Sequence, residues 1–334
     1  MPTSPLTPIR RLLLAWYRKN KRDLPWRRTA DPYRIWLSEV MLQQTRAAAV
    51  IPYYERFLER FPTVEALAAA EEPEVLALWA GLGYYSRARN VHRAARSIHA
   101  HGAFPSTYES IRALPGVGEY TAAAVASIAF GLPQAVLDGN VVRVLSRITE
   151  EPGAIESQQT KARLRGVAAR LLPRAHPGEF NQALMELGAT VCLPKAPQCL
   201  LCPVAAHCAA HRSGREEQFP IRAARKSFED VVEDFFIVMR ENRILLWQRP
   251  ADSRRLAGFW ELPGPAELPG AARKSRLGFF RHTIVQTRYL CVAWIADVPE
   301  RAPGMEWIAL DQIARLPLST TARKALAMAG SFFR

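Results

Sequence analysis

Apolar residues recur at helical spacing through the first two thirds of the chain. Ile9 to Trp16 is one amphipathic run, and Asp31-Pro32 opens a helix expected to reach about Thr45. Further helical runs fall at about 47–60, 63–70, 73–80, 86–101, 106–113, 119–130, 140–149 and 157–172, and Glu179 to Val191 leads into a group of cysteines. Pro25-Trp26-Arg27-Arg28 reads as a loop. Alanine-rich stretches broken at Gly and Pro suit a compact helical domain rather than a coiled coil. After Cys208 the pattern changes. Residues 213–229 are polar and basic and read as a linker, although Phe219-Pro220-Ile221 is apolar enough to dock on a surface. From 230 to 334 the apolar runs shorten to 231–239, 244–248 and 289–296 with turn signals between them, which predicts a smaller α/β domain.

Size and charge narrow the class of partner. A chain of 334 residues with 49% hydrophobic content can bury a large core in two or more domains. Its net charge of +14 points to a polyanion such as nucleic acid, and the basic residues are spread along the chain, so a folded basic surface is expected rather than a basic tail. Residues 1–11 hold three prolines and no long apolar run, and nowhere do eighteen apolar residues follow one another. A soluble, cytoplasmic monomer with no membrane partner is the expectation, nucleoid-associated if the source is bacterial. Five cysteines in a chain of this size do not suggest a disulfide framework.

Four stretches carry candidate chemistry. Gly116-Val117-Gly118 lies between a helix closed by Leu114-Pro115 and one restarted by small residues from Thr121. Unpaired N–H groups at such a helix start form an anion site; the alternative is an ordinary glycine-containing connection. In Ser38-Glu39-Val40-Met41-Leu42-Gln43-Gln44-Thr45, Trp36, Leu37, Val40 and Met41 give an apolar face while Glu39 and Gln43, four apart, share another. That second face is either solvated surface or a carboxyl held near apolar walls, where a raised pKa suits a general acid. Gly81-Leu82-Gly83-Tyr84-Tyr85 precedes a basic helix start, so its rings either stack on bases or pack on the core. Cys192, Cys199, Cys202 and Cys208 are separated by six, two and five residues and imply a metal site or cluster. Zinc ribbons usually show two distant Cys-x-x-Cys pairs, so this spacing favours a 4Fe-4S cluster over zinc. Cys291 stands apart and reads as a buried strand residue.

From about residue 8 to 212 the chain resembles the helix-hairpin-helix glycosylase superfamily with its cluster loop, which includes endonuclease III, the hairpin falling at about 106–130 and the cluster loop at 192–208. Within it, Leu24-Pro25-Trp26-Arg27, the Ser38–Thr45 stretch, Gly81–Tyr85 and Leu137-Asp138-Gly139-Asn140-Val141 are similar to the adenine DNA glycosylases of the MutY family. The resemblance implies double-stranded DNA holding adenine opposite 8-oxoguanine or guanine as partner. It implies Glu39 as the acid that protonates adenine, and Asp138 as the carboxylate that stabilises the sugar cation. Asp138 also reads as a helix cap, a role compatible with the first. Tyr120 and Asn140 match residues that help hold Asp138 and the cation, their plainer roles being packing and a turn. Trp26, Arg27 and Leu42 match parts of the adenine pocket; Gln43, Gln44 and Tyr84 match residues that fill or wedge the opened duplex; Gly116 and Gly118 would hold the phosphate backbone. Endonuclease III-like lyases carry a lysine where this chain has Tyr120, so efficient lyase activity is not expected. The cluster would order a basic loop that meets DNA.

Leu245–Pro250 and Leu256–Gly264 resemble the Nudix-like C-terminal domain of the same glycosylases. The paired acids that hold divalent metal in Nudix hydrolases are replaced by Ala266-Glu267-Leu268-Pro269-Gly270, which leaves a recognition domain without nucleotide hydrolysis. Many family members carry Phe-Ser-His in a loop that contacts 8-oxoguanine. One register sets Ile284, Val285 and Gln286 on that motif, and another sets Phe280, Arg281 and His282 there; in both the serine is absent. Two other readings are open. One is an endonuclease III-like glycosylase for another damaged base, and the other is a cluster-containing DNA sensor without catalysis.

Overall fold

The computed structural model describes residues 7–223, 227–250, 252–253, 256–284, 286–298 and 304–330. The chain divides into two compact units, Met1–Ala69 with Asn90–Ala224, and Ala70–Arg89 with Arg225–Arg334. No helix among the described residues is long and apolar enough to cross a membrane.

The first unit is helical. Its elements are α1 (Thr7–Asn20), α2 (Pro32–Met41), α3 (Ala47–Arg60) and α4 (Val64–Ala68), and, beyond α5 (Glu72–Trp79) of the second unit, most of α6 (Ser86–His101). There follow α7 (Tyr108–Arg112), α8 (Glu119–Phe130), α9 (Gly139–Thr149), α10 (Gln158–Leu171), α11 (Pro177–Thr190) and the short α12 (Ala209–Arg212). Local chemistry sets the starts. The Asp31 carboxylate accepts from the backbone N–H groups of Tyr33 and Arg34 at 2.8 and 3.3 Å, with Pro32 at the first helical position. Thr107 and Ser110 cap α7 reciprocally, and the turn to α8 passes through Gly116 at φ +74°. A Cβ there would also lie 2.4 Å from the Asn90 side chain, so both the backbone angle and the packing require glycine.

Helix α8 is the centre of this unit, buried continuously from Thr121 to Ser127. Its alanines let α11 approach closely: a Cβ on Gly178 would meet the Ser127 carbonyl oxygen at 2.4 Å and Ile128 Cα at 2.7 Å. Leu13, Val144, Leu145, Leu164, Leu171, Phe180 and Leu187 fill the core between α1, α9, α10 and α11. Phe219, in the expected linker, is buried in the same core, and the Ile221 carbonyl accepts from Ile155 N–H at 3.0 Å. Two stretches near the candidate site differ from expectation. Pro25–Arg27 forms a turn of 3-10 helix, and α2 stops at Met41, leaving Leu42 to Thr45 in a turn with Gln44 at φ +61°.

The second unit is α/β, as the short apolar runs predict. The strands are β1 (Glu229–Ile237), β2 (Met239–Arg240), β3 (Arg243–Gln248), β4 (Trp260–Glu261), β5 (Ala272–Ile284), β6 (Thr287–Asp297) and β7 (Met305–Ala309), followed by α13 (Thr320–Met328). One sheet has the order β1-β6-β5, with β1 parallel and β5 antiparallel to β6. In the other, β3 pairs with β2, β4 and β7. Ala322, Ala325 and Leu326 of α13 lie in one core with Phe235, Ile237, Cys291 and Ala293. Cys291 is fully buried between its strand partners Glu233 and Phe280.

The α8–α11 approach yields a test. Gly178→Ala should destabilise the protein by about 1–3 kcal/mol, because backbone rather than a flexible side chain must move. Thermal unfolding followed by circular dichroism would show it, with Gly270→Ala, where a Cβ meets nothing within 4 Å, as the neutral control.

Candidate active site and cysteine centre

Glu39 lies on α2 in the interior of the first unit, with only 5% of its surface exposed. The Tyr120 hydroxyl, from the first turn of α8, donates to Glu39 Oε2 at 2.6 Å and lies 3.2 Å from Met185 Sδ of α11. Burial pushes the Glu39 carboxyl up to about 7; the Asp138 charge adds to this, while the Tyr120 hydrogen bond and the Arg27 cation oppose it. Tyr120 is itself raised well above its ordinary value, first by burial and then by the Glu39 and Asp138 charges, so it stays a neutral donor.

Asp138 caps α9. Its Oδ1 accepts from Val141 N–H at 2.7 Å and its Oδ2 from the Asn140 side-chain amide at 3.0 Å. Burial raises this carboxyl too, against the Val141 and Asn140 donors and the Arg143 cation. Arg143 donates to Asn140 Oδ1 at 2.8 Å, to the Gly188 carbonyl at 2.7 Å and to the Cys192 carbonyl at 2.8 Å. Gly188 must be small, since a Cβ there would stand 2.6 Å from Asn140 Cβ. One turn further along α9, Arg147 is buried and donates to Cys192 Sγ at 3.2 Å, to the Leu193 and Pro194 carbonyls, and to the Glu216 and Phe219 carbonyls.

The other expected residues fall around this centre or apart from it. Trp26 is buried and packs edge-to-face on Tyr54 at 5.4 Å. Arg27, beside it, is held by Glu186, a carboxylate that Arg22 and Arg27 keep ionised down to about 2 against its burial. Leu42 closes α2, and Gln43, in the following turn, donates from its side-chain amide to Thr121 Oγ1 at 3.1 Å. Gln44 is exposed and holds a left-handed backbone that costs on the order of 1 kcal/mol in a non-glycine residue. Gly118 is the N-cap of α8 and supplies no side-chain acceptor to the first-turn N–H groups of that helix.

Tyr84 and His282 belong to the second unit and line one cavity of about 250 Å³ there, with Tyr85, Thr283, Ile284 and Ser319. Tyr84 is half exposed in a left-handed turn, with the Arg87 guanidinium 5.4 Å from its ring. Val285 lies outside the described residues, and Gln286 is exposed.

All four cysteines line one further cavity of the first unit, with Arg147, His211 and Glu216. They are free thiols, with Cys199 and Cys202 pushed up to about 11 and about 12, chiefly by burial. Sulfurs converging on one cavity without a disulfide fit a metal or cluster better than a redox pair. Sequence reasoning missed Arg143, Arg147, Glu186, His211 and Glu216. Only the spacing of Asn140, Arg143 and Arg147 along one helix face carried a signal.

The fold and this centre define a class, the helix-hairpin-helix base-excision glycosylases. The family model described as HhH-GPD superfamily base excision DNA repair protein matches residues 37–170. Over 96% of its length the chain is 46% identical to an adenine DNA glycosylase of Homo sapiens, of which it covers 73%. It is 36% identical, over 70% of its length, to one from Buchnera aphidicola of which it covers 68%. A solved thermostable thymine-DNA glycosylase is 30% identical, with a TM-score of 0.57 over 63% of this chain and 97% of that one. The chain belongs to the adenine DNA glycosylase family. It is thus a base-excision-repair enzyme that hydrolyses N-glycosyl bonds in DNA.

The buried acid has a thermodynamic signature. Native Glu39 keeps its proton up to about pH 7 and the unfolded chain only to about 4.5. Its contribution to stability is therefore complete below about pH 4.5 and is lost as pH rises through about 7. Glu39→Gln should match the native protein at pH 4.5 and exceed its stability at pH 8 by on the order of 3 kcal/mol. Urea unfolding of both proteins at the two pH values would measure this, and a difference independent of pH would refute it.

Proposed function

We propose that the chain removes adenine from mispairs with 8-oxoguanine and with guanine, by water and without an efficient lyase step. The observation that carries this reading is a buried carboxyl, Glu39, that titrates near neutrality beside a second carboxylate fixed at a helix start. Adenine leaves poorly until a ring nitrogen is protonated, and an acid half-protonated near pH 7 is suited to supply that proton. Its departure leaves an oxocarbenium-like sugar. Asp138, gripped by Val141 and Asn140 donors that favour its charged form, would stabilise that cation, through charge or a transient covalent bond as in retaining glycosidases. Glu39, now a carboxylate, can then activate water.

Tyr120 supports hydrolysis over lyase chemistry. Its phenol donates to Glu39 and has no amine with which to form a Schiff base. Trp26, Arg27 and Leu42 would shape the adenine pocket, Gln43, Gln44 and Tyr84 would occupy the opened duplex, and Gly116 and Gly118 would hold phosphate. The cavity of the second unit, with two tyrosine rings, the His282 imidazole and the Thr283 hydroxyl, has the stacking and hydrogen-bonding character of a base-recognition site. With the serine of Phe-Ser-His absent in either register, weak preference between 8-oxoguanine and guanine is expected.

Cys192, Cys199, Cys202 and Cys208 would hold a 4Fe-4S cluster. When bound it would crosslink the loop from 192 to 208 through its iron–sulfur bonds. Arg147 holds the start of that loop through the Leu193 and Pro194 carbonyls. The purified protein should contain iron and acid-labile sulfide; zinc in their place would overturn this assignment.

Single-turnover assays on duplexes with adenine opposite 8-oxoguanine, guanine or thymine test the activity. Strand cleavage should appear only after alkali and only for the first two duplexes, and Glu39→Gln should slow release by roughly 10²–10⁴. Cleavage without alkali, or a variant as fast as the native enzyme, would overturn the mechanism.

A further inference from the structure

Glu186 lies on α11, and its side chain is fully buried. Its Oε1 accepts from the backbone N–H and Nε of Arg22 at 2.9 and 2.8 Å, and its Oε2 from Arg22 Nη2 at 2.8 Å and Arg27 Nη2 at 2.7 Å. Arg27 is bound from other sides as well. Its Nη1 donates to the Arg22 carbonyl at 3.0 Å, and its guanidinium lies 5.4 Å from the centre of the Tyr17 ring. Two cations thus converge on one buried carboxylate, and removing that carboxylate would leave both without their counter-charge.

Arg27 is also the cation whose field reaches Glu39, and that field favours the ionised form. A guanidinium free to swing onto Glu39 would pair with it and remove the proton that the reaction uses. Among the described residues, the titratable groups whose charge or hydrogen bond acts on Glu39 are Tyr120 from α8, Asp138 at the start of α9 and Arg27 after α1, and of these Arg27 is the cation. Around the Arg27 guanidinium stand Glu186, the second cation Arg22 and the Tyr17 ring, over which Lys21 also lies.

We propose that Glu186 is a positioning residue: it fastens Arg27 and supplies its counter-charge, so that Glu39 remains a proton donor at neutral pH. This rests on Glu39 being the acid. Neutralising Glu186 both frees Arg27 and removes a nearby negative charge, and both effects favour ionised Glu39.

The test is the pH profile of single-turnover release from a duplex holding adenine opposite 8-oxoguanine, measured on the full chain. In Glu186→Gln the alkaline limb should move about one pH unit toward acid, so that activity lost at pH 8 is largely recovered near pH 6. Adding Arg27→Gln should return the limb to its native position even if the plateau stays low, because no cation then acts on Glu39. A limb at its native position in Glu186→Gln, whatever the height of the plateau, would overturn the proposal, since a purely structural role scales the rate equally at every pH. If Glu186→Gln does not fold, Glu186→Asp draws the carboxylate back from Arg27 and should shift the limb in the same direction by less; no shift overturns the proposal. Full activity in Glu39→Gln would instead overturn the acid assignment itself, independently of Glu186.

Discussion

Glu39 is a carboxyl placed where water barely reaches it, and a charged form there is expensive unless neighbours compensate. Compensation is only partial: one hydroxyl donates to it, one cation acts on it, and the Asp138 charge works against it. The carboxyl is thereby left near neutrality, and small displacements of any neighbour change its protonation. The surrounding helices must therefore be held to close tolerances. Helix α8 carries Tyr120, α9 carries Asp138 as its cap, and α11 backs both through Met185 and Gly188.

Close tolerance comes from small residues and from buried polar side chains that have one satisfied geometry. Gly178 brings α11 against the backbone of α8, and Gly188 brings it against Asn140. Asn181, between them and 1% exposed, donates to Ser127 Oγ and to the Gln134 carbonyl at 2.8 and 2.7 Å and accepts from Val136 N–H at 3.3 Å. It thus fixes the segment that leads into Asp138. Helix α9 runs from that aspartate to the arginine that grips the cysteine loop. Breaking any of these buried bonds leaves an unpaired polar group, so the arrangement resists gradual distortion.

Much of this was legible in the sequence, because the helical periodicity was long and the motifs carried distinctive residues. Asp138 before Gly139-Asn140-Val141 reads as a cap, and it is one. The failures have physical reasons. Four-residue spacing put Glu39 and Gln43 on one helix face, but α2 ends at Met41 and Gln44 takes a left-handed backbone, a break that no glycine or proline announces. Phe219 sat in a polar stretch, and its burial depends on a core assembled from distant helices. Glu186 was illegible for the same reason: a lone glutamate in a helix is usually solvated, and the arginines that bury it lie more than 150 residues earlier in the chain.

The two carboxylates show why chemistry can be divided between like residues. Asp138 receives a backbone N–H and an amide at the positive end of a helix, all of which favour the anion and oppose its burial. Glu39 receives only a phenol whose proton is firmly held, so burial dominates and the acid form persists to about pH 7. Exchanging the residue types would not exchange these electrostatic environments, since each follows from the donors at its position. A lysine in place of Tyr120 would set a cation against Glu39 and favour its ionised form. The phenol, itself held neutral, opposes burial only in part, and Glu39 keeps its acid form to about pH 7.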